Sequence, residues 1–266
     1  MFSEIIQNIA TGSAVGLGIT YIVGGLIVNL NLARRGVVEF QIVKVKYLVT
    51  GLVFIFQSIG IIILSLIVGV VAVIYETPST WLQSLNIVSM IMAISLFVAW
   101  ARLPPNSESF FATWRYWLVA STLGLAFPSI IIMRQIISRQ FVDVFEVVFI
   151  IQAVLTGILS LLGQIYHYSI FYYGHSTGLV SGLDPIGMGI PSRVRISSTK
   201  ENALLLKGLG VSFNKGNVTE DLYLIDETDH YYILAFEPIP SQRKDAGTLK
   251  IDKSLIKAML YMSDLK

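Results

Sequence analysis

Side chains able to move protons, hold metals or attack a substrate are sparse in this chain. There are three histidines, His167, His175 and His230, and no cysteine. Without cysteine there are no disulfides, thiolate metal sites, iron–sulfur clusters or cysteine nucleophiles. His167 and His175 are eight residues apart, about 12 Å along a helix, so one helix cannot bring both to one metal. They stand among Tyr166, Tyr168, Tyr172 and Tyr173 and read as part of an interfacial aromatic belt. His230 falls in a predicted hairpin and reads as solvated. Acidic residues pair at Glu220-Asp221 and again at Asp226, Glu227 and Asp229. They lack the regular oxygen spacing and central glycine of a calcium loop, and acidic turns are ordinarily solvated. No phosphate-binding loop, zinc-protease motif or nucleophile elbow occurs. The expectation is a chain with no catalytic residue, metal or cofactor.

The chemistry that remains is neutral. Gln152, Thr156, Ser160 and Gln164 recur every four residues, with Tyr168 and Tyr172 continuing the count. On a helix they form one slowly winding polar seam. Such a seam either joins helices by hydrogen bonds or lines a polar pathway for a solute. Gly12, Gly16, Thr20 and Gly24 make a second four-residue repeat, of small side chains. Small residues at that spacing let another helix approach closely in lipid, within the chain or between copies. Pro128 interrupts an apolar run, where proline kinks a helix as a static feature or as a gating hinge.

The elements that must carry these residues belong in a bilayer. The chain of 266 residues is 54% apolar and 14% charged, against about a quarter charged in soluble domains. Five intervals without charge are long enough to cross a hydrocarbon core, which takes about 20 helical residues. Their helices are predicted at Thr11 to Leu30, Tyr47 to Tyr75, Trp81 to Ala101, Tyr116 to Met133 and Val147 to Tyr173, the fourth being the shortest. Trp100, Phe110, Phe111, Trp114, Tyr116 and Trp117 cluster around the Pro104-Pro105 break, as an aromatic belt would. No Asp, Glu, Lys or Arg lies mid-span, which disfavours ion-coupled pumps and voltage sensors. Met1 to Ala10 carries Glu4 and no basic residue, so it does not read as a cleaved signal.

Residues 174–191 hold five glycines and two prolines and read as a linker. Residues 192–266 then read as a small soluble domain. A capping box at Ser198-Thr-Lys-Glu201 predicts a short helix over Ala203 to Leu206, and a strand from Leu204 to Phe213 fits nearly as well. Strands are predicted at Leu222 to Ile225, Tyr231 to Phe236, Thr248 to Ile251 and Ile256 to Met262, with Asp226 to Asp229 as a hairpin turn. The fold class is thus an all-α membrane domain of five transmembrane helices over residues 1–173, followed by a small β-rich α+β domain.

Charge sets the expected orientation. Connectors one and three carry Arg34, Arg35, Lys44, Lys46, Arg102 and Arg115, whereas connectors two and four carry Arg134 and Arg139. Positive connectors stay inside, which puts the N-terminus outside a plasma membrane and the C-terminal domain in the cytoplasm. That domain together with its linker, residues 174–266, holds eleven basic and eleven acidic residues, too balanced for nucleic acid. The expected partners are the bilayer and either further copies or another membrane protein. The functional expectation is a non-catalytic signalling or accessory subunit, whose bundle anchors or senses and whose cytoplasmic domain binds a partner or small ligand. The alternative is a channel or transporter subunit with its pathway along the fifth helix.

Overall fold

A computed structural model describes residues 2–34, 37, 45–75, 78–102, 109–138, 144–173, 191–214, 217–237 and 248–262. Five long helices lead: α1 (Phe2–Arg34), α2 (Val45–Ile74), α3 (Ser79–Arg102), α4 (Trp114–Ser138) and α5 (Val144–Phe171). All five are long and apolar enough to cross a membrane. Helices suit these runs because they satisfy every backbone polar group internally. Exposed apolar side chains such as Phe56, Ile59, Ile63, Ile67 and Val71 cover the outside of α2, an arrangement that lipid solvates well.

α4 lies at the centre of the bundle and packs on α2, α3 and α5, while α1 packs on α2 and α5. Backbones meet where one helix offers a glycine. A Cβ on Gly69 would stand 2.8 Å from the Ser129 carbonyl oxygen, and one on Gly163 would stand 2.9 Å from that of Ala93. Each crossing closes only because that atom is missing.

The tail forms β1 (Ser192–Ser197), α6 (Lys200–Gly208), β2 (Leu222–Glu227), β3 (Tyr231–Ala235), β4 (Thr248–Asp252) and β5 (Ala258–Tyr261). The strands form one antiparallel sheet in the order β4-β3-β2-β1-β5. Its two faces bury different partners. Val194, Ile196, Leu222, Leu234 and Ile251 pack with Leu206 of α6. Ile225, Ile233 and Ala235 instead join the core cluster of the helices, with Val23, Tyr47, Tyr168 and Tyr173. The order of layers is therefore bundle, sheet, α6.

Several expectations from the sequence shift. α1 starts at Phe2 and ends at Arg34, beyond Thr11 to Leu30, because the helix continues past both edges of its apolar run. α4 continues through Arg134 to Ser138 and is one residue longer than α3, so it is not the shortest helix. The cap of α6 is Thr199, whose hydroxyl accepts from the Asn202 amide. Ser198 instead donates to the Leu255 carbonyl at 2.7 Å, and helix replaces the alternative strand over Leu204 to Leu206. β2 runs through Asp226 and Glu227, which removes them from the expected hairpin turn. β1, between β2 and β5, was not expected at all. The proposed linker, apart from Pro191, lies outside the described residues, as do Pro104, Pro105 and His175.

Candidate functional site

The helices are antiparallel in sequence, so α1, α3 and α5 end, and α2 and α4 begin, at one end of the bundle. The sheet sits at that end. There the last turn of α5 would leave carbonyls without partners, and α1 supplies them. Asn31 Nδ2 donates to the Ser169 carbonyl at 3.1 Å and to that of Tyr173 at 3.4 Å. Arg34 Nη1 reaches the Ile170 carbonyl at 3.5 Å. A cation at the negative end of a helix dipole is favourable, so α1 caps the helix that leads toward the sheet.

One ion pair crosses from bundle to sheet. Lys46, the second residue of α2, donates to Asp226 Oδ1 at 3.4 Å, with side chains 24% and 5% exposed. A bulge makes this pairing possible. Leu224 faces Leu234, yet Asp226, two residues on, faces Ile233, the next residue of β3. The extra residue, Ile225, moves Asp226 onto the face that meets the bundle. Plain alternation from Leu224 would have turned it toward α6. An aromatic group lies beneath, with Phe54 and Tyr168 edge-to-face at 5.1 Å and Tyr168 stacked on Tyr172 at 5.9 Å. His167 is fully buried rather than part of an exposed belt. Its Nε2 donates to the Phe111 carbonyl at 2.9 Å, which ties the α3–α4 connection to α5. The carbonyl can only accept, so this contact places the proton on Nε2.

The polar seam of α5 divides in two. Asn86 Nδ2 of α3 donates to Gln152 Oε1 at 3.0 Å, and Thr156 reaches Asn86 Oδ1 at 3.5 Å. Further along, Gln164 Nε2 donates to Ser160 Oγ at 3.3 Å. Gln152 is exposed, while Thr156, Ser160 and Gln164 are buried between helices. Ser160 occupies the space beside Gly124 of α4, where a Cβ would come within 2.6 Å of its hydroxyl.

The small-residue repeat of α1 also divides. Thr20 and Gly24 meet α2: a Cβ on Gly24 would collide with the Tyr47 carbonyl oxygen and stand 2.7 Å from the Gly51 nitrogen. Gly12 and Gly16 face open space. Pro128 sits within a continuous α4. Just before it, Ser89 of α3 enters the helix ladder, donating to the Leu123 carbonyl at 2.7 Å and accepting from the Phe127 amide at 3.3 Å. An inserted side chain of this kind is a recognised cause of helix bending.

In the sheet, Asp221 accepts from both Arg193 and Arg195, the latter at 2.6 Å. Those bonds hold its carboxyl below the usual carboxylate range. Glu227 accepts from Lys253 at 2.6 Å, which raises the Lys253 ammonium above its ordinary value. Among the described residues no three His, Asp or Glu side chains lie together as a metal site.

Sequence reasoning passed over Lys46, Asp226 and Asn31 as a set. A signal existed in Leu222-Tyr-Leu-Ile-Asp226, a carboxylate ending an apolar strand, and in Lys46 opening the most apolar helix. β1 had one too, in the alternation Arg193-Val-Arg-Ile196.

The fold and the junction define a class: a multi-pass helical membrane protein carrying a small antiparallel sheet against one end of its bundle. Set against known proteins, the sequence matches no family model and no curated protein, and the fold matches no solved structure.

Proposed function

We propose that the protein is a non-catalytic membrane module in which bundle and sheet move as one body, serving as a signalling or accessory subunit. The observation that carries this reading is the shared core. Ile225, Ile233 and Ala235 are buried with helix residues, and Lys46–Asp226 closes the joint. A shift of α1, α2 or α5 is therefore felt at β2 and β3, because packed interfaces rearrange discretely instead of deforming smoothly. The sheet lies at the end bearing Arg34, Lys46 and Arg115, so the positive-inside tendency assigns it to the cytoplasm. A partner or small ligand then reads the sheet domain.

The bonds of Gln152 and Thr156 to Asn86 support a role for that half of the seam in joining α5 to α3, while Gln164 bonds to Ser160 within α5. The test is solute and ion flux in liposomes together with hydrogen exchange at β2 and β3. The module reading expects no flux, and it expects Asp226→Asn to speed exchange in both strands. Flux that disappears when the four seam residues become leucine would replace it with the channel reading. A cysteine at Leu204, in this cysteine-free chain, is expected to label only from the cytoplasmic side.

A further inference from the structure

Gln152 breaks an apolar surface. Every other exposed side chain described on α5 is apolar. Gln152 Oε1 accepts from Asn86 Nδ2 at 3.0 Å, and among the described residues its own Nε2 group has no partner. The pair lies below the headgroups. Asn86 stands six residues, about 9 Å, past the start of the span Thr80–Ala99, whose 20 residues are just long enough to cross. The bond to Asn86 also holds the amide against α3, so it does not reach out to water. An amide donor left unpaired in hydrocarbon is costly. A second pattern runs through the same position. Val148, Gln152, Leu155, Leu159 and Leu162 follow one another at alternating steps of four and three, and all are exposed or partly exposed. Steps averaging 3.5 residues make a seam for one partner helix wound at a left-handed crossing. In heptad terms Val148, Leu155 and Leu162 take the d positions, Gln152 and Leu159 the a positions.

We propose that this face of α5 pairs with α5 of a second copy, Gln152 meeting Gln152 of that copy across a two-fold axis along the membrane normal. The inference rests on the reading of α1 to α5 as membrane spans. Two copies inserted the same way are parallel, so each seam residue meets its own counterpart at the same depth. An amide suits that meeting because it is its own complement. Each Nε2 donates to the Oε1 of the other copy, which has a second lone pair beyond the one that Asn86 uses. Two reciprocal bonds then complete the network that starts at Thr156 and passes through Asn86. A helix of another protein would need a polar side chain at this one depth, whereas a second copy carries it there by symmetry. Polar side chains join helices in lipid, and a single one at an a position fixes the register of a pair. Leu155 and Leu162 are exposed, so pairing along the seam displaces nothing inside the bundle.

The absence of cysteine makes the test direct. Leu155→Cys and Leu162→Cys, on the seam, and Val154→Cys and Leu161→Cys, one residue off it, are made singly in the full chain and oxidised in liposomes. All four positions are exposed, so accessibility alone would give equal yields. The expected result is disulfide-linked dimer at 155 and 162, and several-fold less at 154 and 161. The strength of pairing is read by energy transfer between chains labelled at Leu204→Cys, as added lipid dilutes them. Gln152→Leu should weaken dimerisation on the order of tenfold. Because that change also removes the bond to Asn86, Leu155→Ala is the second variant: it touches no hydrogen bond and should weaken pairing too. Val154→Ala, exposed but off the seam, should leave it unchanged. Equal crosslinking at the four positions, or dimerisation indifferent to both Gln152→Leu and Leu155→Ala, would overturn the inference. Dimers linked through Gly16→Cys alone would overturn it by moving the contact to α1. A chain that stays monomeric at high protein-to-lipid ratio would overturn it and leave Gln152 to another membrane protein. A chain released from liposomes by alkaline carbonate would overturn the reading of the helices as spans, and the inference with it.

Discussion

Replacing Gly24 with alanine tests how α1 is held. Its Cβ would collide with the Tyr47 carbonyl oxygen and stand 2.7 Å from the Gly51 nitrogen, where ordinary contact begins at 3.4 Å. Both obstacles are backbone atoms of α2, so no rotamer change relieves them. The helices must part by about 0.7 Å or more, and overpacking of this kind costs about 1–3 kcal/mol. The crossing is reciprocal, since Gly51 meets Thr20 of α1, so parting also opens the contact around Thr20. Gly16→Ala is the matched control, with nothing within 4 Å of its Cβ. Alanine in place of glycine favours a helix by up to about 1 kcal/mol. That gain is common to both sites and cancels, so the two substitutions, eight residues apart on one helix, should differ by about 1–3 kcal/mol. Reversible unfolding in mixed micelles, followed by tryptophan fluorescence, measures both. Equal stabilities within about 0.5 kcal/mol would refute the close crossing.

Other perturbations probe the junction, the kink, the sheet and the open face. Asp226→Leu alone should destabilise by about 1–3 kcal/mol, less than a fully buried pair because Lys46 is 24% exposed; with Lys46→Met added, stability in the same micelle assay should return most of the way. Ser89→Ala removes both bonds into the turn before Pro128 and should cost about 1 kcal/mol, visible as lower thermal stability in detergent. Asp221 titrates below the ordinary carboxylate range, so its stabilisation is complete above that range. It is lost as pH falls through the lowered value, and calorimetry should show Asp221→Asn flattening the acid limb of stability below about pH 4. Gly16→Cys should form disulfide-linked dimers in membranes if copies meet on the open face of α1, whereas Gly24→Cys, against α2, should not.

Much of this architecture was legible in the residues. Charge-free apolar intervals of about the length a bilayer core requires locate the five helices, because lipid admits few other backbones. Alternation and polar turns locate four of the five strands. β1 escaped because Arg193 and Arg195 mask its apolar alternation, though both face a shared carboxylate. The seam was visible as a four-residue period, but period cannot say what a face meets. Gln152 meets Asn86 across helices, while Gln164 turns back to Ser160.

The sequence alone determined the solvent of each part, since hydropathy is a property of composition over a run of about 20 residues. It also determined the small-residue and polar periodicities of α1 and α5. Tertiary structure decided what those patterns touch. It divided the glycine repeat into a half against α2 and a half in the open. It placed Asp226 beside Lys46 across 180 residues of sequence separation, through a one-residue bulge that composition cannot announce. Local pattern depends on neighbours within a turn or two, whereas a bulge, a helix crossing and an ion pair between layers depend on register between distant segments.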